Sequence, residues 1–182
     1  MNKFIMILMM LVSQAAIAAI GTITEQVNKP PEIARAKGGA VTGSKGTGVE
    51  MNDTIKTGQG KVGITFEDET KVQVNENSKL VIDDFVYDAK SSKGGKLAVK
   101  VALGTVRYAS GQIAKNSPQN VAINTPSATV SVRGTDFTAT VDEVGASTVI
   151  LLPSCPKIWV DIERDCKTGA IEVTTDAGLE GA

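Results

Sequence analysis

The 182-residue chain contains no histidine at all. That removes Ser-His-Asp and Cys-His catalysis and every ordinary zinc site, because each needs an imidazole as base or ligand. Aromatic residues are scarce too, with one Trp, two Tyr and four Phe. The cysteines number two, Cys155 and Cys166. Charge of one sign is missing as well: 19 Lys+Arg face 20 Asp+Glu, for a net charge of −1. A near-neutral balance without a basic stretch gives no electrostatic footprint for nucleic acid or for an anionic membrane face.

The longest apolar run, Phe4 to Val12, is well short of the ~20 residues that span a bilayer. It lies behind Lys3 and ahead of an Ala-Ile-Ala ending at Ala18. Basic flank, short apolar region and small residues at −3 and −1 describe a secretory signal peptide, expected to occupy residues 1–19, with cleavage after Ala18 or Ala19. No cysteine follows the run, so no lipid anchor is expected. The remainder, 20–182, suits one β-domain without a transmembrane span, periplasmic or secreted. In that compartment Cys155 and Cys166, flanking "PKIWVDIERD", are expected to pair and pin a C-terminal hairpin ahead of a frayed tail. A redox or metal pair would need C-x-x-C spacing or histidine.

What is present is short-period alternation. Val62, Ile64 and Phe66 alternate with Lys61, Gly63 and Thr65, "EDET" turns the chain, and Val72 and Val74 follow. After "NENS", Leu80 and Ile82 resume; Leu97, Val99, Val101 and Leu103 then form a clean strand. Ile158, Val160 and Ile162, then Ile171 and Val173, close the series. Many short strands with turns about every ten residues predict an all-β roll or solenoid-like β-sandwich. "TEQVNKPPEIARAKGG" is expected as an extended lead-in or a short irregular helix from Pro31, and "DAKSSKGGK" as a hairpin loop.

Two strands change phase. At Gly104 the inward set moves from Leu97, Val99 and Val101 to Val106 and Tyr108. In "NTPSATVSVRGTDFTATV" it moves from Val130 and Val132 to Phe137, Ala139 and Val141. Strand side chains alternate with a period of two, so each odd step demands a bulge or a corner. At the second, Arg133 is expected to lie largely buried beside Gly134 and to fork onto carbonyls that the broken ladder leaves unpaired. Thr135 is expected to help through its hydroxyl. The functional alternative is an anion-binding arginine.

Other motifs weigh less. "GQGKVG" matches G-x-G-x-x-G literally, but a strand begins inside it where a helix is needed. "GGAVTGSKGTG" is a glycine-rich turn with its lysine misplaced for a P-loop. "SCPK" has the S-x-x-K spacing, but Pro153, Pro156 and the expected disulfide forbid the helical turn that chemistry needs. Asp161, Glu163 and Asp165 alternate beside Trp159. They read as a solvated face or as a weak Ca²⁺ or sugar-binding surface.

"DTIKTGQGKVGITFEDETKVQVNENSKLVIDDF" and then "LGTVRY … INTPSATVSVRGTDFTATV" resemble the FecR-type domain. The family shows an apolar-x-TG element, two strands about a DG[ST]-like turn, and later G-x-[VI], TP and RGT-x-F. The resemblance spans roughly Ala36 to Val144 and marks Gly58, Gly104, Pro126, Arg133, Gly134, Thr135 and Phe137 as structural positions. Glu69 stands where the family usually has glycine, which leaves the type of that turn open. The resemblance implies an all-β roll of solenoid character. FecR-type regulators join a cytoplasmic segment and one span to this periplasmic domain. Neither is legible here, so direct anti-sigma activity is not expected. The resulting expectation is a non-enzymatic module without cofactor, touching another envelope or extracellular protein. A sensory component of a transmembrane pathway and a carbohydrate- or calcium-binding module are the alternatives.

Overall fold

The computed structural model describes residues 19–90, 94–153, 155, 166–167, 169 and 170–175. The expected signal peptide (save Ala19), the Ile158–Ile162 strand, the Asp161, Glu163 and Asp165 row with Trp159, and the frayed tail lie outside the described residues.

The first half of the chain gives strands β1 (Gly21–Asn28), β2 (Glu32–Ala34), β3 (Ala40–Thr42), β4 (Gly48–Val49), β5 (Thr54–Lys56), β6 (Gly60–Phe66), β7 (Lys71–Val74) and β8 (Lys79–Val86). Then come β9 (Lys96–Ala109), the short helix α1 (Gln112–Asn116), a 3-10 turn at Pro118–Asn120, β10 (Val121–Asn124), β11 (Ala128–Arg133), β12 (Asp136–Val141), β13 (Ser147–Leu152) and β14 (Ala170–Thr175). The all-β expectation holds. The lead-in is extended, as β1 and β2, with no helix from Pro31.

These strands form two faces that share β9. One runs β4-β1-β6-β7-β9-β12-β13 and the other β3-β2-β5-β8-β9-β10-β11-β14. Lys96 to Leu103 pairs with β8, while Gly104 to Ala109 pairs with β7 and β12. The predicted phase flip at Gly104 is therefore the corner at which one strand leaves one sheet for the other. Gly104 has φ +80°, and a Cβ there would lie 2.2 Å from Ser78 Oγ and 2.7 Å from Ser78 Cα. Only glycine fits both the left-handed backbone and the close approach. Leu103, expected inward, is 36% exposed because it sits at that corner, opposite Lys79.

β11 and β12 repeat the device. β11 belongs to the second face and β12 to the first, with Gly134 at φ +61° between them. Val130 and Val132 face the core on one side of the bend, and Phe137, Ala139 and Val141 on the other. Phe137 is fully buried against Tyr108, with ring centroids 5.3 Å apart.

The core is the predicted alternation closed on itself: Val62, Ile64, Phe66, Val72, Val74, Leu80, Ile82, Leu97, Val99 and Val101 are all buried. Among the described residues all strand pairs are antiparallel save β9 with β10, which need a crossover to run parallel. Residues 112–120 supply it, and Ile113 and Ala114 of α1 plug the core. Asp68 is buried and holds this plug through its carboxylate, which accepts from Thr70 N (3.0 Å), Thr70 Oγ1 (2.8 Å) and Ile113 N (3.2 Å). Next to it Glu69 takes φ +67°, in the left-handed region that favours glycine.

Gly58 sits in the turn from β5 to β6 with open space around it and no positive φ, so nothing in its surroundings requires glycine. The required residue is Gly60, where a Cβ would lie 1.9 Å from the Lys29 carbonyl oxygen. Pro126 is exposed at the turn between β10 and β11, where Gly145 approaches it. Cys155 and Cys166 form the expected disulfide. β14 pairs with β11, and the other arm of the expected hairpin lies outside the described residues.

Candidate functional site

Arg133 does not do what the phase change suggested. It is the last residue of β11, paired with Ala170, and it is exposed rather than buried. Val132 points into the core, so the next side chain of the same strand must point out, and the bend comes only at Gly134. The broken ladder is repaired from elsewhere. The Ser110 hydroxyl donates to the Thr135 carbonyl (2.7 Å), Ser110 N donates to the same oxygen (3.2 Å), and Thr135 N donates back to Ser110 Oγ (2.9 Å). Thr135 is buried but contributes through its backbone rather than the expected hydroxyl, which among the described residues makes a 3.4 Å contact to the Asp136 carbonyl. Among the described residues Arg133 has neither a hydrogen bond nor an ion pair.

A part-buried arginine with a forked set of bonds exists at another position. Arg35, between β2 and β3, donates to Asp53 Oδ2 (2.6 Å) and to the Gly48 carbonyl (3.0 Å), with Glu50 Oε1 at 3.3 Å. Asp53 is fully buried, also accepts from Glu50 N (2.8 Å), and has an Oδ1 without a partner. Burial pushes its pKa above the ordinary carboxylate value, against the backbone hydrogen bond from Glu50 and the Arg35 charge, which pull it down. The signal for this pair was present in the period of two: with Ile55 inward, Asp53 must be inward too.

The outward direction of Arg133 gives it other surroundings. It lies at the rim of a pocket of about 260 Å³ shared with Pro118, Gln119, Ser131, Ile171 and Glu172. β11 and β14 bring Ser131 directly opposite Glu172 and set Arg133 opposite Ala170. Arg133 and Glu172 are thus diagonal neighbours, and they are not joined as an ion pair. Pro118 and Gln119 reach the pocket from the 3-10 turn of the crossover. Gln119, Ser131 and Glu172 make no side-chain hydrogen bond among the described residues. The pocket offers a cation, a carboxylate, an amide and a hydroxyl that make no side-chain hydrogen bond among the described residues, with Pro118 as an apolar neighbour. Groups of these types can recognise a polar ligand or a partner surface.

Elsewhere the chemistry is spent on structure. Tyr108 is buried with its hydroxyl beside Thr70 and Ser110; burial first, then the Asp68 charge, drives its pKa far up, the two hydroxyls opposing. Among the described residues no group of three or more Cys, Asp or Glu is placed to hold a metal, and no helix is long and apolar enough to cross a membrane. Sequence reasoning named Arg133 but missed Gln119, Ser131 and Glu172, which only the pairing of β11 with β14 and the crossover bring together.

A family model described as FecR protein matches residues 53–153, from the buried Asp53 through β13. No curated protein and no solved structure matches the chain.

Proposed function

The chain belongs to the FecR protein family, and from that premise we propose that its β-roll is a non-enzymatic regulatory component. It acts outside the cytoplasm by contact with another envelope protein. FecR domains are the periplasmic regions of signalling proteins, and a disulfide suits an oxidising compartment. The observation that carries the contact reading is Arg133. Within the family-matched residues it is an exposed arginine without a hydrogen bond or ion pair among the described residues, beside a pocket whose polar side chains make no hydrogen bond among those residues. Arginine on a rigid scaffold is a residue type on which interface energy concentrates.

A photo-crosslinking residue at Gln119, in cells exporting the full chain, tests the reading. It should capture an envelope protein, and Arg133→Ala should reduce the yield, whereas the same label at Val27 on β1 should capture none. Equal capture from both positions, or none at Gln119, would put the contact elsewhere.

A further inference from the structure

We infer that the Arg133 pocket is a binding site for a short peptide with both termini free, the carboxylate taken by Arg133 and the ammonium by Glu172. The inference deepens the proposed contact reading, since it assumes that this pocket is the recognition site. Three features of the geometry support it.

First, the opposite charges are neighbours yet remain apart. Diagonal residues on an antiparallel pair sit about 7–8 Å from each other, within reach of long side chains. Arg133 and Glu172 are nonetheless not paired, and both border one cavity. A ligand bearing a single charge would be attracted by one and repelled by the other. A dipolar ligand satisfies both.

Second, the backbone spacing suits a ligand of two residues. Two extended residues span about 7 Å, so a dipeptide can set its ammonium and carboxylate against the two side chains together. A free amino acid carries its charges across one residue and spans less of that separation. Guanidinium is suited to a carboxylate because its planar fork can donate two parallel hydrogen bonds.

Third, the remaining walls match what lies between two termini. Gln119 and Ser131 can each donate and accept, as the central peptide group requires. Pro118 gives aliphatic cover for a side chain. The volume of about 260 Å³ falls just under the ~300–1,000 Å³ typical of drug-sized ligands.

Titration calorimetry of the full mature chain with Ala-Leu, N-acetyl-Ala-Leu, Ala-Leu-amide and free leucine decides it. Ala-Leu should bind saturably, and blocking either terminus should weaken it by about tenfold, the loss of one charge-assisted contact. Free leucine should bind more weakly than Ala-Leu. Arg133→Ala should weaken Ala-Leu about tenfold and erase its advantage over the amide. Glu172→Gln should weaken Ala-Leu while leaving the acetylated peptide no weaker. Both side chains are exposed, so unchanged urea midpoints should accompany these effects. Absence of saturable binding to about 10 mM, or Ala-Leu binding that ignores Arg133→Ala, overturns the peptide site. Envelope capture at Gln119 that persists alongside such a result would leave the contact reading standing and remove the peptide inference alone.

Discussion

Replacing Arg35 with alanine should destabilise the roll severely at neutral pH and much less in acid. The guanidinium is the counter-charge of a carboxylate that water does not reach: Asp53 is 0% exposed, and Arg35 itself 15%. Removing one partner of a buried pair typically costs about 3–5 kcal/mol, because the remaining charge keeps its desolvation penalty without its Coulomb gain. The partial exposure of Arg35 places this case near the lower end, at about 3 kcal/mol. Asp53 can escape the penalty by taking up a proton. Its folded pKa already lies above the unperturbed 3.8, so the native state holds that proton more tightly than the unfolded chain. Its contribution to stability is therefore greatest below the unfolded pKa and is lost as pH rises through the folded one. Without Arg35 a force that lowers the pKa disappears, and the folded value moves further up. The gap between wild type and Arg35→Ala should then be small near pH 4 and grow toward pH 7. Urea titrations at both pH values measure it, and adding Asp53→Asn to Arg35→Ala should recover part of the loss at pH 7. A gap below about 1 kcal/mol at pH 7, or one that does not change with pH, would refute the reasoning.

The two corner glycines should separate in thermal unfolding. Gly104→Ala meets both a left-handed φ and Ser78, so it should cost well over the ~1–2 kcal/mol of the backbone alone, whereas Gly134→Ala, in open space, should cost about that amount. Comparable losses would mean that the Ser78 approach relaxes easily. Glu69→Gly should be neutral or stabilising by up to about 1 kcal/mol, since glycine adopts this φ without strain; chemical denaturation showing a loss above that would assign the exposed Glu69–Gln112 hydrogen bond real weight. Joint replacement of Cys155 and Cys166 by alanine opens a loop of sequence separation 11 and should lower stability by about 3 kcal/mol on the chain-entropy model, with an unchanged urea midpoint as the contrary result.

The strands and their inward faces were legible because alternation is a local property: from Val62 to Val74 the even positions are buried through both strands and the turn between them. The phase flips at Gly104 and Gly134 were legible for the same reason, as interruptions of that count. Their meaning was not, because whether a flip is a bulge within one sheet or a corner between two depends on which partners each half finds. β9 finds β8 and β10 before Gly104 and β7 and β12 after it. The crossover was invisible too, since the five residues of α1 are too few to show a helical period.

The misplaced arginine shows where local reasoning stops. A flip at Arg133-Gly134-Thr135 established that polar backbone groups would need partners, but not which residue would reach them. Gly134 absorbs the left-handed turn, so Arg133 keeps the outward phase that Val132 dictates, while Ser110 arrives from the neighbouring β9 end to bond Thr135. The arginine drawn partly inward was instead Arg35, bonded to Asp53 across 18 positions of sequence. Asp53 is inward by the same count that buries Ile55, and a carboxylate placed inward demands a cation from somewhere. The stronger inference thus begins from the acid that the pattern buries, and asks which base can reach it. Applied to Arg133, whose own phase is outward, the same count leaves the guanidinium available to something other than the fold.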